Sequence, residues 1–144
     1  MHEDEKRWVA AAIDFEGTIH IGKHLKGNSS YYESRIQVTN TKEALIDELV
    51  KICGGKKLFV RRPGNRQDHW VWYCAARYAE ELLKEVYPYL IAKKEQANVF
   101  FELRQTVSYK NTHPVDKEIL NLREVLRLKM GRLNQRGKLN YGTT

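Results

Sequence analysis

The sequence lacks any apolar run long enough to span a bilayer, and its first seven residues, Met1 to Arg7, are charged rather than apolar. Neither a secretory signal nor a membrane anchor is expected. The chain reads as soluble and intracellular, in the cytoplasm or an organellar matrix, and not secreted. Cysteine is nearly missing: Cys53 and Cys74 are the two that occur, inside apolar stretches and without C-x-x-C spacing. That argues against a zinc site and for ordinary buried thiols in a reducing compartment. No shift in composition divides the 144 residues, so a single domain over 1–144 is expected, with 113–144 a C-terminal basic helix and tail. Acidic residues are the minority, 18 Asp and Glu against 25 Lys and Arg, for a net charge of +7. This imbalance makes polyanions, nucleic acid first, the natural partners, although charge alone leaves a solvated basic surface equally good.

What is present is a regular exchange of helical and strand periodicity. From Glu5 to Glu16, Trp8, Ala11, Ala12 and Phe15 recur at helical spacing, with Val9 and Ile13 on an adjoining face. Such a helix should be buried, and the run Ala10-Ala11-Ala12 gives it a low surface on which another helix can lie closely. Gly17 should end it with a positive φ. Thr18 to Leu25 and Tyr31 to Thr39 alternate as strands around the turn residues Lys26 to Ser30. Asn40 and Glu43 have capping-box spacing before a helix with Leu45, Leu49 and Ile52 as its inner stripe, and Gly54-Gly55 stops it. A second hairpin, Lys56 to Arg62 and His69 to Ala76, follows, its tryptophans preferred under the helices. Then come helices over Tyr78 to Tyr87, with Tyr78, Leu82 and Val86 on one side, and from about Ile91 to Val107. A last one starts near Pro114 with the stripe Ile119, Leu122, Leu126, Met130 and Leu133. The order αββαββα gives an α+β domain with a four-stranded antiparallel sheet and one helical face.

On that sheet, the face away from the helices should display His20, His24, Arg35, Gln37 and Arg61 or Arg62, with Lys26 and Arg66 in the adjoining turns. Arg and Gln at alternate strand positions can pair with guanine and adenine edges, and a β-ribbon fits the major groove. An antiparallel sheet with one solvated, charged face accounts for these residues equally well.

The segment Val9-Ala10-Ala11-Ala12-Ile13-Asp14-Phe15-Glu16-Gly17 separates the two accounts, because it resembles the LAGLIDADG motif of homing endonucleases. Asp14 stands at the motif's first acid, Glu16 at the second and Gly17 at the closing glycine, while Ala11 replaces the usual first glycine. Gln37-Val38-Thr39-Asn40 looks like the family's second-strand ending, and Pro88-Tyr89-Leu90-Ile91-Ala92-Lys93-Lys94-Glu95-Gln96-Ala97 resembles another of its segments. The likeness runs from about Trp8 to Val107, with Leu133 to Lys138 similar to a family C-terminus. It implies a sequence-specific, Mg²⁺-dependent endodeoxyribonuclease, Mn²⁺ substituting, that makes double-strand breaks in a long near-palindromic site. With one motif copy, the family pattern is a homodimer whose motif helices pair through Trp8, Ala11, Ala12 and Phe15. Glu16 and the Gly17 carbonyl would hold the metal, Lys93 would stabilise phosphate charge and Asn40 would help order water, beside its role as a helix cap. Asp14, pointing to another side of the helix, is expected to be structural and bonded near the dimer interface. The family's basic residue after Asn40 is missing, since Ala44 takes its register and Lys42 lies near. The alternative is a non-cutting nucleic-acid binder on the same fold.

Overall fold

The computed structural model describes residues 1–107 and 115–135. The elements are α1 (Glu3–Glu16), β1 (Gly17–Lys26), β2 (Ser29–Asn40), α2 (Glu43–Cys53), β3 (Lys56–Val60), β4 (His69–Ala75), α3 (Ala76–Val86), a 3₁₀ turn (Tyr87–Tyr89), α4 (Lys94–Gln105) and α5 (Lys117–Leu133). The two hairpins lie side by side in one antiparallel sheet of order β1-β2-β4-β3. The fold is α+β, as the periodicities imply.

Register assigns the faces. Ile36 opposes Cys74 and Val38 opposes Trp72, while Gln37 opposes Tyr73 and Arg35 opposes both His20 and Ala75. Because directly paired residues share a face, Ile19, Ile36, Val38 and Trp72 meet the helices and are fully or almost fully buried. Trp72 donates from its indole nitrogen to the Gly54 carbonyl at 2.7 Å, so the large ring enters the core without stranding its polar atom. Val9, Ala10 and Ile13 of α1, Ile46 and Leu49 of α2, Leu83 and Val86 of α3, Phe100 and Leu103 of α4, and Leu126 and Met130 of α5 complete the core.

Several local expectations are overturned. Gly17 is extended (φ −96°), so its reason is contact rather than a left-handed turn: a Cβ there would stand 2.7 Å from the Ile13 Cα and carbonyl oxygen. Asn40 and Glu43 form no capping box. Lys42 is the N-cap, the Asn40 side chain accepts from the Lys42 N–H two residues on, and Glu43 pairs with Lys57 instead. Leu45 and Tyr78 are exposed; the buried stripes run through Ile46 and Leu49, and through Ala79, Leu82, Leu83 and Val86. β3 stops at Val60, which leaves Arg61 and Arg62 exposed in the following loop. Residues 91–93 precede α4 rather than open it. In α5 Leu122 is exposed, Asp116 is the N-cap, and Pro114 and the tail after Gly137 lie outside the described residues.

Candidate active site and nucleic-acid interface

The C-terminal end of α1 is clasped from a distant part of the chain. Asp14 is buried, and its carboxylate accepts three backbone N–H groups, from Ile91 (2.8 Å), Ala92 (3.1 Å) and Lys93 (3.1 Å), a cluster of aligned donors leading into α4. In return the Lys93 ammonium donates to the Ile13 (2.8 Å) and Asp14 (2.7 Å) carbonyls, capping the negative end of α1, whose last turn carries no basic residue of its own. Asp14 is therefore structural within its own chain. Lys93, expected to meet phosphate, is buried with its ammonium on the helix end.

Beyond the clasp stands Glu16, the last residue of α1, exposed and held by no hydrogen bond or ion pair among the described residues. It borders an open cleft of about 340 Å³ with Thr39, Asn40, Thr41, Gln67 and His69. Asn40 borders the same cleft as Glu16, and its amide N–H₂ has no hydrogen-bond partner among the described residues. Gln67 and His69 are arrivals the sequence did not announce: β2–β4 pairing returns the second hairpin beside Asn40, which opposes Trp70.

The outer side of α1 is apolar and uncovered. Phe15 is 85% exposed and Ala11 is exposed, while Trp8 and Ala12 are half-buried. A groove runs along each side of this ridge. Trp8, Ala12, Val38, Leu45 and Leu49 line one, and Arg7, Tyr89, Ile91 and Ala92 the other. Ile91, 90% exposed, and Leu45 extend the same apolar surface; their exposure beside α1 has no signal in local periodicity.

The open sheet face carries His20, His24, Arg35 and Gln37, with Glu33, Tyr31, Tyr73 and Lys56 placed among them by register. His24 stacks on Tyr31 (5.1 Å between centroids) and bonds Glu33 at 3.0 Å. Arg35 lies over the Tyr73 ring, 3.8 Å from its centroid. Burial, and then the Arg35 charge, hold the His20 imidazole below its ordinary value, so it is neutral at neutral pH and can both donate and accept. Lys26 ends β1 beside the hairpin turn; Arg61, Arg62 and Arg66 sit in the exposed 61–68 loop at the sheet's end, where the Arg62 N–H donates to Asp68.

The chain superposes on the homing endonuclease I-CvuI, solved with the I-CreI target and 2 mM Mg and its DNA not cleaved, with a TM-score of 0.78 at 17% identity over 94% of this chain and 85% of that one. It does so equally with the archaeal intron-encoded I-Vdi141I complexed with DNA, at a TM-score of 0.75 and 14% identity over 94% and 88%. The fold is that of the LAGLIDADG homing endonucleases. The LAGLIDADG enzyme I-SmaMI, bound to cleaved DNA, matches 90% of this chain with a TM-score of 0.67 at 13% identity, but the chain spans only 44% of its length. No family model and no curated relative matches the sequence. Here α1 is the helix whose sequence resembles the family motif, and Glu16 is its last residue. Among the described residues, no group of three or more His, Cys, Asp or Glu gathers at any point. Among the described residues the cleft beside Glu16 therefore offers a divalent cation one carboxylate, with the neutral side-chain oxygens of Thr39, Asn40, Thr41 and Gln67 around it.

Proposed function

We propose that two copies of this chain pair through α1 to make a sequence-specific, divalent-cation-dependent DNA endonuclease. The observation that carries this reading is an uncommitted carboxylate, Glu16, standing at the end of an uncovered apolar helix face. A two-fold axis through that face would bring Glu16 of each copy beside its mate, so that two carboxylates rather than one would face a divalent cation. Covering Phe15 alone would contribute about 1.5–3 kcal/mol.

Hydrolysis of a phosphodiester needs a positioned water, neutralised phosphoryl charge and support for the leaving oxyanion. A bound Mg²⁺ or Mn²⁺ would supply the charge neutralisation. Glu16 and Gly17 would hold it; Asn40, Gln67 and His69 bring hydrogen-bonding groups to the cleft beside it, where they can order water. The Lys93–Asp14 clasp fixes the helix end from which Glu16 projects. The basic sheet face sets the register on duplex DNA.

Glu16→Gln tests this. On a site selected from a randomised duplex library, the variant should bind within a few-fold of the unmodified protein yet cut neither strand, and the unmodified protein should cut in Mg²⁺ or Mn²⁺ but not in Ca²⁺. Cutting at the unmodified rate by Glu16→Gln would remove Glu16 from the site. One observation favours a second reading, a non-cutting binder: Lys93, the cation expected at the phosphate, is spent on the helix end. Tight binding to a selected site without cutting in either metal would establish that reading instead.

A further inference from the structure

The open sheet face holds one arginine in an unusual state. Arg35 is in β2, inside the sheet rather than at its edge, opposite Ala75, whose small side chain leaves room for its neighbour to lean across. The guanidinium lies over the Tyr73 ring at 3.8 Å, a stacked cation–π contact. Its Nε is fully buried and has no hydrogen-bond partner among the described residues, and the Glu33 carboxylate stands 3.9 Å from Nη1, too far for a hydrogen bond. An arginine free to seek water would not leave a donor dry. The stack has taken most of that side chain out of solvent, leaving 23% of it exposed, and fixed the plane of its fork before any ligand arrives.

We infer that Tyr73 is a positioning residue for sequence readout: its ring presets the Arg35 guanidinium to pair with a guanine in the major groove. This rests on the DNA-binding part of the proposed function. A guanidinium has only donors, in a rigid fork, and among base edges the paired acceptors O6 and N7 of guanine match it. A solvated arginine gives up rotamer freedom when it docks, whereas a stacked one has given it up already, so the aromatic platform turns a flexible cation into a discriminating one. Glu33, bonded to His24, adds a negative charge beside the fork and disfavours its use as a mere phosphate contact.

The test is base preference, read apart from affinity. Sites are selected with the full chain in a metal-free buffer, and binding is measured on the best site and on each single base-pair change. Arg35→Ala identifies the pair that Arg35 reads. There the unmodified protein should prefer guanine by roughly 10- to 100-fold. Tyr73→Leu should reduce that preference to under about threefold while leaving discrimination at other pairs and affinity for random duplex within twofold; Tyr73→Phe, which keeps the ring, should restore it. Arg35→Lys, which keeps the charge and loses the fork, should behave as Tyr73→Leu does, and needs no change beneath the side chain. Full preference retained in Tyr73→Leu, or a base other than guanine at that pair, overturns the platform alone. An unmodified protein that selects no site at all overturns the DNA-binding reading together with it.

Discussion

Asp14 shows how much a single buried carboxylate can organise. Hydrogen bonds to a charged group contribute about 1.5–3 kcal/mol each, not additively, so Asp14→Asn, which also sets an amide N–H₂ against N–H donors, should lower unfolding free energy by roughly 3 kcal/mol. A urea titration measures it; a loss below about 1 kcal/mol would mean that the three N–H groups find other partners. Gly17→Ala should cost roughly 1–3 kcal/mol, because the clash is with backbone atoms of Ile13 that cannot rotate away. That α1 ends at Glu16 and Gly17 was legible in the sequence, although Gly17 is required by its close approach to Ile13 rather than by the positive φ expected. The destination of Lys93 was not: only the folded chain shows that its nearest acceptors are the carbonyls of a helix some 80 residues earlier.

Elements were legible wherever one face alone is buried. The β1–β2 hairpin was readable from alternation because its outer face is polar, and the four-strand, five-helix order followed from the turn residues. Helices touched by apolar surface on two sides misled: Leu45 and Tyr78 have helical spacing and are large, yet Ile46 and Ala79 hold the core. Periodicity counts apolar residues but cannot say which of two apolar stripes meets the same chain. Beside the buried Leu126 and Met130, a polar cluster also ties α5 to the sheet, and it was invisible in the pattern. Glu124 accepts from Arg127 (2.6 and 3.1 Å) and the Tyr32 hydroxyl (2.7 Å), with Lys23 at 3.5 Å. Arg127 and then Tyr32 hold the Glu124 carboxyl down to about 2. Its folded pKa is depressed, so its contribution is whole above the ordinary carboxylate value of 4.5 and is lost as pH falls towards 2. The melting-temperature deficit of Glu124→Gln should accordingly be present at pH 7 and gone by about pH 2; a deficit independent of pH would assign the effect to packing.

At the scale of the molecule, the uncovered face of α1 is the surface through which the proposed pairing would form. Sedimentation at micromolar concentration without DNA should find a dimer, and Phe15→Glu, which sets two like charges against each other across a two-fold axis, should give monomers with an unchanged circular dichroism spectrum. A monomer in the unmodified protein would sink the pairing. With a charge of +7, affinity for duplex should fall steeply between 50 and 200 mM salt, and a flat response would move DNA off the basic face. The clasp also sets a timetable. Glu16 is near the start of the chain, but the groups that fix its helix end lie at 91–93. Loop closure over that span has to precede a finished tip, so a nascent chain on the ribosome carries Glu16 long before it carries the groups that fix the end of its helix. Synthesis arrested after β4 would leave the sheet strands made and the end of α1 without the groups that hold it.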